Sequence, residues 1–190
     1  ANLVGLSVAT DEDNAYYIPV GHDYEGAPKQ LDRDEVLKKL KPIIEKTPLI
    51  GQHLKFDRNV LANYDIHLNT IENDTMLMSY VYDPTATRHN LDAMASHYLN
   101  VKTTTFEDVA GKGVKQLTFN QIPLEKASDY AAEDADVTFR CYSHLKPALA
   151  KTPSLEKVLH EIELPLVPVL SDMEQAGTLV NEEALKVQSN

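Results

Sequence analysis

A single cysteine, Cys141, is all the thiol chemistry in this chain of 190 residues. One cysteine excludes an internal disulfide framework and fits a reducing cytosol, and on a helix it serves as a small buried apolar residue. Long apolar runs are missing as well. Charges interrupt each one well before the roughly 20 residues that a membrane span needs, and the chain opens on Ala1-Asn2-Leu3 rather than on a basic leader. No membrane partner is expected. Positive charge is scarce: 18 basic residues face 29 acidic ones, a net charge of −11. That balance excludes a broad basic stripe that coats nucleic acid, yet it is compatible with carboxylates that hold divalent cations beside a few local basic or aromatic groups. There is no P-loop, dinucleotide glycine motif, nucleophile elbow or cysteine-rich zinc pattern, and no internal repeat. The seven histidines lack metal-ligand spacing, and only His89, next to Arg88, is placed near a substrate.

What is present is an ordinary globular composition, 43% apolar and 25% charged, enough for one sizeable core. Residues 2–9 and 15–20 read as strands around the turn residues 10–14, a β-hairpin. An acidic opening at Asp32-Arg33-Asp34-Glu35 starts a helix to about Lys46, kinked at Pro42. Residues 47–52 read as a short buried strand and residues 55–64 as a helix whose first turn carries Asp57. Strand, helix, strand, helix indicates an α/β or α+β domain. Beyond residue 70 the pattern is mostly helical: 74–82, 91–99, a polar loop over 103–119, and a main helix from Leu124 to about Leu149. After the break at residues 151–154, a further helix runs from near Leu155 past Pro165 and Pro168 towards Gly177, with a bend expected at the prolines.

Two positions carry the chemistry. Tyr130 and Asp134 stand four apart on the main helix and therefore share one face. That is the arrangement needed if the carboxylate holds a metal and the phenol orients an attacking water. With Asp57 it suggests a two-metal phosphodiesterase site, although such sites use three or four carboxylates. Each feature also has a plain alternative. Asp129, Glu133 and Asp136 around Asp134 make a solvated acidic face equally natural, an acid in the first turn of a helix is a common dipole partner, and Asp74 reads as the N-cap of the next helix. Lys55, Arg88 and the lysines of residues 102–115 are either phosphate contacts or surface charge. Phe106 is either an apolar anchor or a wedge on which a base stacks.

The segments Gly51-Gln52-His53-Leu54-Lys55-Phe56-Asp57-Arg58, Asn73-Asp74-Thr75-Met76-Leu77, Thr105-Phe106-Glu107-Asp108-Val109-Ala110-Gly111, Gln116-Leu117-Thr118-Phe119-Asn120-Gln121-Ile122 and Tyr130-Ala131-Ala132-Glu133-Asp134 resemble the 3′→5′ proofreading exonuclease domain of the bacterial DNA polymerase I family, the family A polymerases. The resemblance covers nearly the whole chain. The stretch from Glu163 to Gly177 is similar to the start of the polymerase domain, so the expected division is an exonuclease-like domain over 1–152 and the helical start of a polymerase domain over 153–190.

The resemblance implies a ribonuclease H-like α/β fold, a mixed sheet flanked by helices, with two magnesium or manganese ions held by four acids. Asp57 matches the second acidic motif, and Tyr130 with Asp134 the third, which makes Asp57, Tyr130 and Asp134 catalytic and the two aspartates metal ligands. Lys55, Phe56, Arg88 and Phe106 match positions near the bound single strand, while His53 stands where the family usually has asparagine. The first motif, Asp-x-Glu on the first strand, would precede Ala1. The expectation is therefore a chain without its first strand, with an unpaired edge on the hairpin and negligible activity by itself. The implied partners are the 3′ end of single-stranded DNA or a frayed primer terminus and the polymerase domain of the same parent chain, in the bacterial cytoplasm. The competing readings are a ribonuclease D-like exoribonuclease, and a non-catalytic exonuclease-like scaffold that supports the polymerase.

Overall fold

The computed structural model describes residues 2–189, and the hairpin read from the sequence opens it. Strands β1 (Gly5–Asp11) and β2 (Asn14–Pro19) pair antiparallel, from Gly5 opposite Pro19 to Asp11 opposite Asn14. Asp13 turns the chain in the left-handed region, which its short polar side chain tolerates. Helix α1 (Arg33–Ile44) starts where Asp32 accepts from the Glu35 N–H, and Pro42 falls in its last turn, where it ends the helix rather than kinking its middle.

Next comes β3 (Leu49–Gly51), then α2 (Leu54–Ala62), then β4 (Ile71–Asp74), which lies parallel to β3 with Gly51 opposite Asp74. The sequence pattern assigns no strand to residues 71–74. Ile71 is the one apolar residue of the four, and the partner that makes this segment a strand lies more than twenty positions away in the chain. Among the described residues the four strands form two two-stranded sheets, so the antiparallel and parallel pairings of the mixed α/β fold are separate.

The helical remainder contains α3 (Thr75–Tyr82), α4 (Leu91–Met94) running into a π-turn over Ala95–Leu99, and a five-residue α5 (Phe106–Ala110) inside the segment read as loop. Helix α6 (Leu124–Leu149) has the bounds that the sequence predicts. At 1.5 Å per residue it is about 39 Å long. It packs across β1, β2 and β3. Its buried residues Val137, Cys141, Leu145 and Leu149 meet Met78, Val81, Met94 and Ala95 in the main core, while Ala127 packs with Ala110 and Ile122 in a smaller cluster. Cys141 is inert there, its thiol pushed up to about 12 by burial. A second cluster joins Leu3, Val20, Val36, Leu37, Leu61, Ile66 and Leu68 under the hairpin and α1.

The final segment is α7 (Pro153–Val158), a π-turn over Leu159–Glu163, α8 (Leu164–Ala176) and α9 (Glu182–Gln188). The expected bend is thus a π-turn just ahead of Pro165, and Gly177, at φ 70°, ends α8. Leu159 and Leu164 are buried in the main core, so this segment is packed onto the rest. Among the described residues no helix is long and apolar enough to cross a membrane.

Candidate functional site

Asp57 owes its position to the turn between β3 and α2. His53, at φ 60° and ψ 46°, sits in the left-handed region, where asparagine and histidine are both over-represented, and this gives the unusual histidine a physical reason. His53 supplies no side-chain cap to α2. Asp74 does so instead from the end of β4, accepting from the N–H groups of His53 at 3.1 Å and Leu54 at 2.7 Å while also capping its own helix through Met76 at 3.0 Å. The sequence reading of Asp74 as the α3 cap holds; the second cap depends on the β3–β4 register and has no local signal. Asp57 then falls in the first turn of α2. The residue as a whole is exposed, but the protein packed around its carboxylate pushes its pKa up to about 6, with the Asp74 charge adding to the effect.

The other half of the site is on α6. Tyr130 and Asp134 stand one turn apart on α6, close enough that each shifts the other's pKa. Burial pushes Asp134 up to about 7; the Tyr130 hydroxyl opposes that rise, and the charges of Asp92 and Glu133 add to it. Burial and the adjacent Asp134 charge raise the Tyr130 phenol above its ordinary value, so it stays a neutral donor. Phe106 and Phe119 flank the phenol ring at 6.2 and 6.1 Å between centroids.

Neighbouring acids build this arrangement. Glu133 accepts from the Thr104 N–H at 2.8 Å and Asp92 from the Thr103 hydroxyl at 2.7 Å, which fixes the segment that leads into α5. There Thr105 and Asp108 form a capping box and place Phe106 against Tyr130. Asp136 accepts from the Asp13 N–H at 3.1 Å and ties the hairpin turn to α6. Glu133 and Asp136 are therefore structural, not a solvated face. The Thr-x-x-Asp pattern at 105–108 was the sequence signal for α5. Behind Phe119 lies a group that the sequence did not announce: the buried His22, at 5.7 Å from Phe119, with the Tyr17 hydroxyl 2.8 Å from its Nε2.

Arg88 is exposed and lines an open cleft of about 730 Å³ with Thr87, Asn90, Asp92 and His97. Its neighbour His89 is locked from inside. Pro84 O accepts from Nε2–H at 3.1 Å, so Nδ1 is the acceptor for the Ser79 hydroxyl at 2.8 Å, and Ser79 in turn accepts from Tyr98 at 3.0 Å. Gln52 donates to the His89 carbonyl at 2.9 Å. His89 thus holds the Arg88 loop rather than facing a ligand. On α2, Phe56 is 59% exposed and stacked on His53, whereas Lys55 is ion-paired with Glu174 at 2.5 Å.

The predicted residues therefore gather in two groups. Tyr130, Asp134 and Phe106 meet directly, with Asp92 linking them to the Arg88 cleft; Lys55, Phe56 and Asp57 share the first turn of α2. The acid facing Asp57 is Asp74, not Asp134. Among the described residues neither Asp57 nor Asp134 is ion-paired with a basic side chain, and no basic group lowers the pKa of either. Two such carboxylates, hard oxygen donors with charge left unbalanced, fit a magnesium or manganese ion. Among the described residues no three His, Cys, Asp or Glu side chains converge.

The sequence model of a 3′-5′ exonuclease family matches residues 1–150. The chain is 53% identical to DNA polymerase I of Pseudomonas aeruginosa, with 100% of this chain and 21% of that protein covered. It is 36% identical to DNA polymerase I of Chloroflexus aurantiacus, covering 98% and 20%. It thus spans about a fifth of the length of the curated relatives it matches. Among solved structures, the POL domain of Pol1 from M. smegmatis, in complex with DNA primer-template and dNTP, superposes with a TM-score of 0.70 at 22% identity, over 97% of this chain and 28% of that one. Brucella melitensis NrnC does so with 0.62 at 19% identity, over 93% and 78%. These two likenesses establish a shared fold.

Proposed function

Because the chain belongs to the 3′-5′ exonuclease family, we propose that it is the part of a bacterial DNA polymerase I that hydrolyses the 3′-terminal nucleotide of a DNA strand during proofreading. The observation that carries the reading is the Tyr130–Asp134 pair: a neutral phenol one helical turn from a carboxylate with no basic partner, beside the ring of Phe106.

In this reading Asp57 and Asp134 hold the divalent ions, magnesium or manganese. When bound, such ions supply a nucleophilic water at neutral pH and offset charge on the departing oxygen. The chain's own groups do the rest. Tyr130 keeps its proton and directs its hydroxyl at the attacking water, while its ring is fixed between Phe106 and Phe119. Phe106 offers a face to the terminal base, Arg88 a guanidinium to a phosphate, and Lys55 and Phe56 a charge and a ring to the strand. Water oxygen bonds to phosphorus, the bond from phosphorus to the 3′ oxygen breaks, that oxygen takes up a proton, and a deoxynucleoside 5′-monophosphate leaves.

Residues 1–152 form the nuclease unit and 153–190 begin the polymerase part; the family match ending at residue 150 supports this division. The partners are a single-stranded or frayed 3′ DNA end and the polymerase part of the same protein, in the bacterial cytoplasm. The test is to offer the full-length protein 5′-labelled single-stranded DNA and its RNA counterpart, with magnesium or manganese and then with EDTA. Stepwise shortening of the DNA from its 3′ end that EDTA stops is the expected result. Preference for RNA would favour the ribonuclease D-like reading instead.

A further inference from the structure

The lysine that shares the first turn of α2 with Asp57 is already engaged. Lys55 Nζ lies 2.5 Å from Glu174 Oε1, and the second oxygen of Glu174 accepts from Asn59 at 2.8 Å, so the carboxylate is fixed by two residues of α2 one turn apart. Its pKa is held below the ordinary value, first by the Lys55 hydrogen bond. The same two helices are bound together at the next turn, where Arg58 reaches the Ser171 hydroxyl at 2.5 Å and Asp172 at 2.7 Å, and the buried Ser171 donates to Asn59 at 2.5 Å. Helix α8 therefore does more than cover α2: it takes up the charged groups next to Asp57.

We propose that Glu174 and a phosphate of the bound strand compete for the Lys55 ammonium, so that α8, outside the nuclease unit, sets how tightly that unit holds DNA. The inference rests on the reading of Lys55 as a DNA contact. Lys55 and Glu174 keep 25% and 49% of their side-chain surfaces in solvent, so the pair exchanges with a phosphate without unpacking a core. Leu164 and Val167 keep α8 anchored when the pair opens.

The experiment measures binding of a fluorescein-labelled single-stranded oligodeoxynucleotide to the full-length protein in EDTA across a salt series, for the wild type, Glu174→Gln, Lys55→Ala and the double variant. Glu174→Gln should bind about three- to tenfold more tightly at low salt, with a slope of log K against log salt steeper by about 0.7, one phosphate contact on a single strand. The gain should vanish on the Lys55→Ala background. If Lys55→Ala weakens binding while Glu174→Gln leaves it unchanged or weakens it, Lys55 is a DNA contact and the competition is wrong. If Lys55→Ala has no effect, the DNA-contact reading of Lys55 fails and the competition with it.

Discussion

Asp74 accepts the Leu54 N–H at 2.7 Å, so the helix that carries Asp57 is closed at its start by a residue 20 positions further along the chain. The same carboxylate takes N–H groups from His53, Met76 and Leu77. Asp74→Ala should therefore cost more than an ordinary cap, about 2–4 kcal/mol, because it orphans donors on two helices. Thermal or denaturant unfolding of the variant gives the value; a loss below about 1 kcal/mol would mean that water replaces the cap.

The contribution of Asp134 and Asp57 to stability should fall as pH rises from about 4 to 7. Asp134, at about 7, and Asp57, at about 6, bind protons more readily when folded than at the ordinary carboxylate value of 3.8, so over that window the folded state is the more protonated one and raising the pH favours unfolding. Asp134→Asn removes the larger contribution. At pH 8 it should raise stability by roughly 1–2 kcal/mol, after reduction of the full shift for partial exposure, and flatten the pH slope.

Manganese added at pH 8 should raise the Tm of the wild type and not that of Asp134→Asn, since an ion that binds only the folded form stabilises it by mass action. Chelation with EDTA should return the wild type to its starting Tm. Equal shifts in both proteins would place the ion elsewhere.

Tyr130→Phe should leave the fold intact, because the ring keeps its neighbours Phe106 and Phe119. The lost hydroxyl should lower nuclease kcat about 100-fold, the order expected when a reacting water is no longer oriented. Since that hydroxyl opposes the rise in the Asp134 pKa, the acidic limb of the pH–rate profile should move to higher pH. An unshifted limb would detach Tyr130 from the titrating group.

Arg88→Ala and His89→Ala should separate contact from support. Among the described residues the exposed Arg88 makes no ion pair, so its loss should raise KM and reduce the salt dependence of DNA binding without changing Tm. The His89 ring joins Ser79 and Pro84, so its loss should raise KM and also lower stability by about 1–2 kcal/mol.

Helix α6 was legible because a stripe of small and apolar residues from Ala127 to Leu149 repeats at helical spacing without a break. The same spacing placed Tyr130 above Asp134. The hairpin and the first turn of α2 were legible for similar local reasons. Strand β4 was not, because a ladder with β3, rather than the polar sequence Glu72-Asn73-Asp74, makes it a strand. The roles of Glu133 and Asp136 were hidden for the same kind of reason: their partners, the N–H groups of Thr104 and Asp13, belong to segments that only the folded chain brings to α6. Lys55 looked free in the sequence, and nothing local announced Glu174.

The decisive measurement is 3′-end release of mononucleotides by the full-length protein and its Asp57→Asn and Asp134→Asn variants, with primer extension by each protein as the internal control. Both variants should lose at least about a thousandfold in nuclease rate, the order expected when groups holding the catalytic ions are removed, while extending primers at the wild-type rate. Nuclease activity that survives either substitution in a protein still able to extend primers would contradict the assignment of the site.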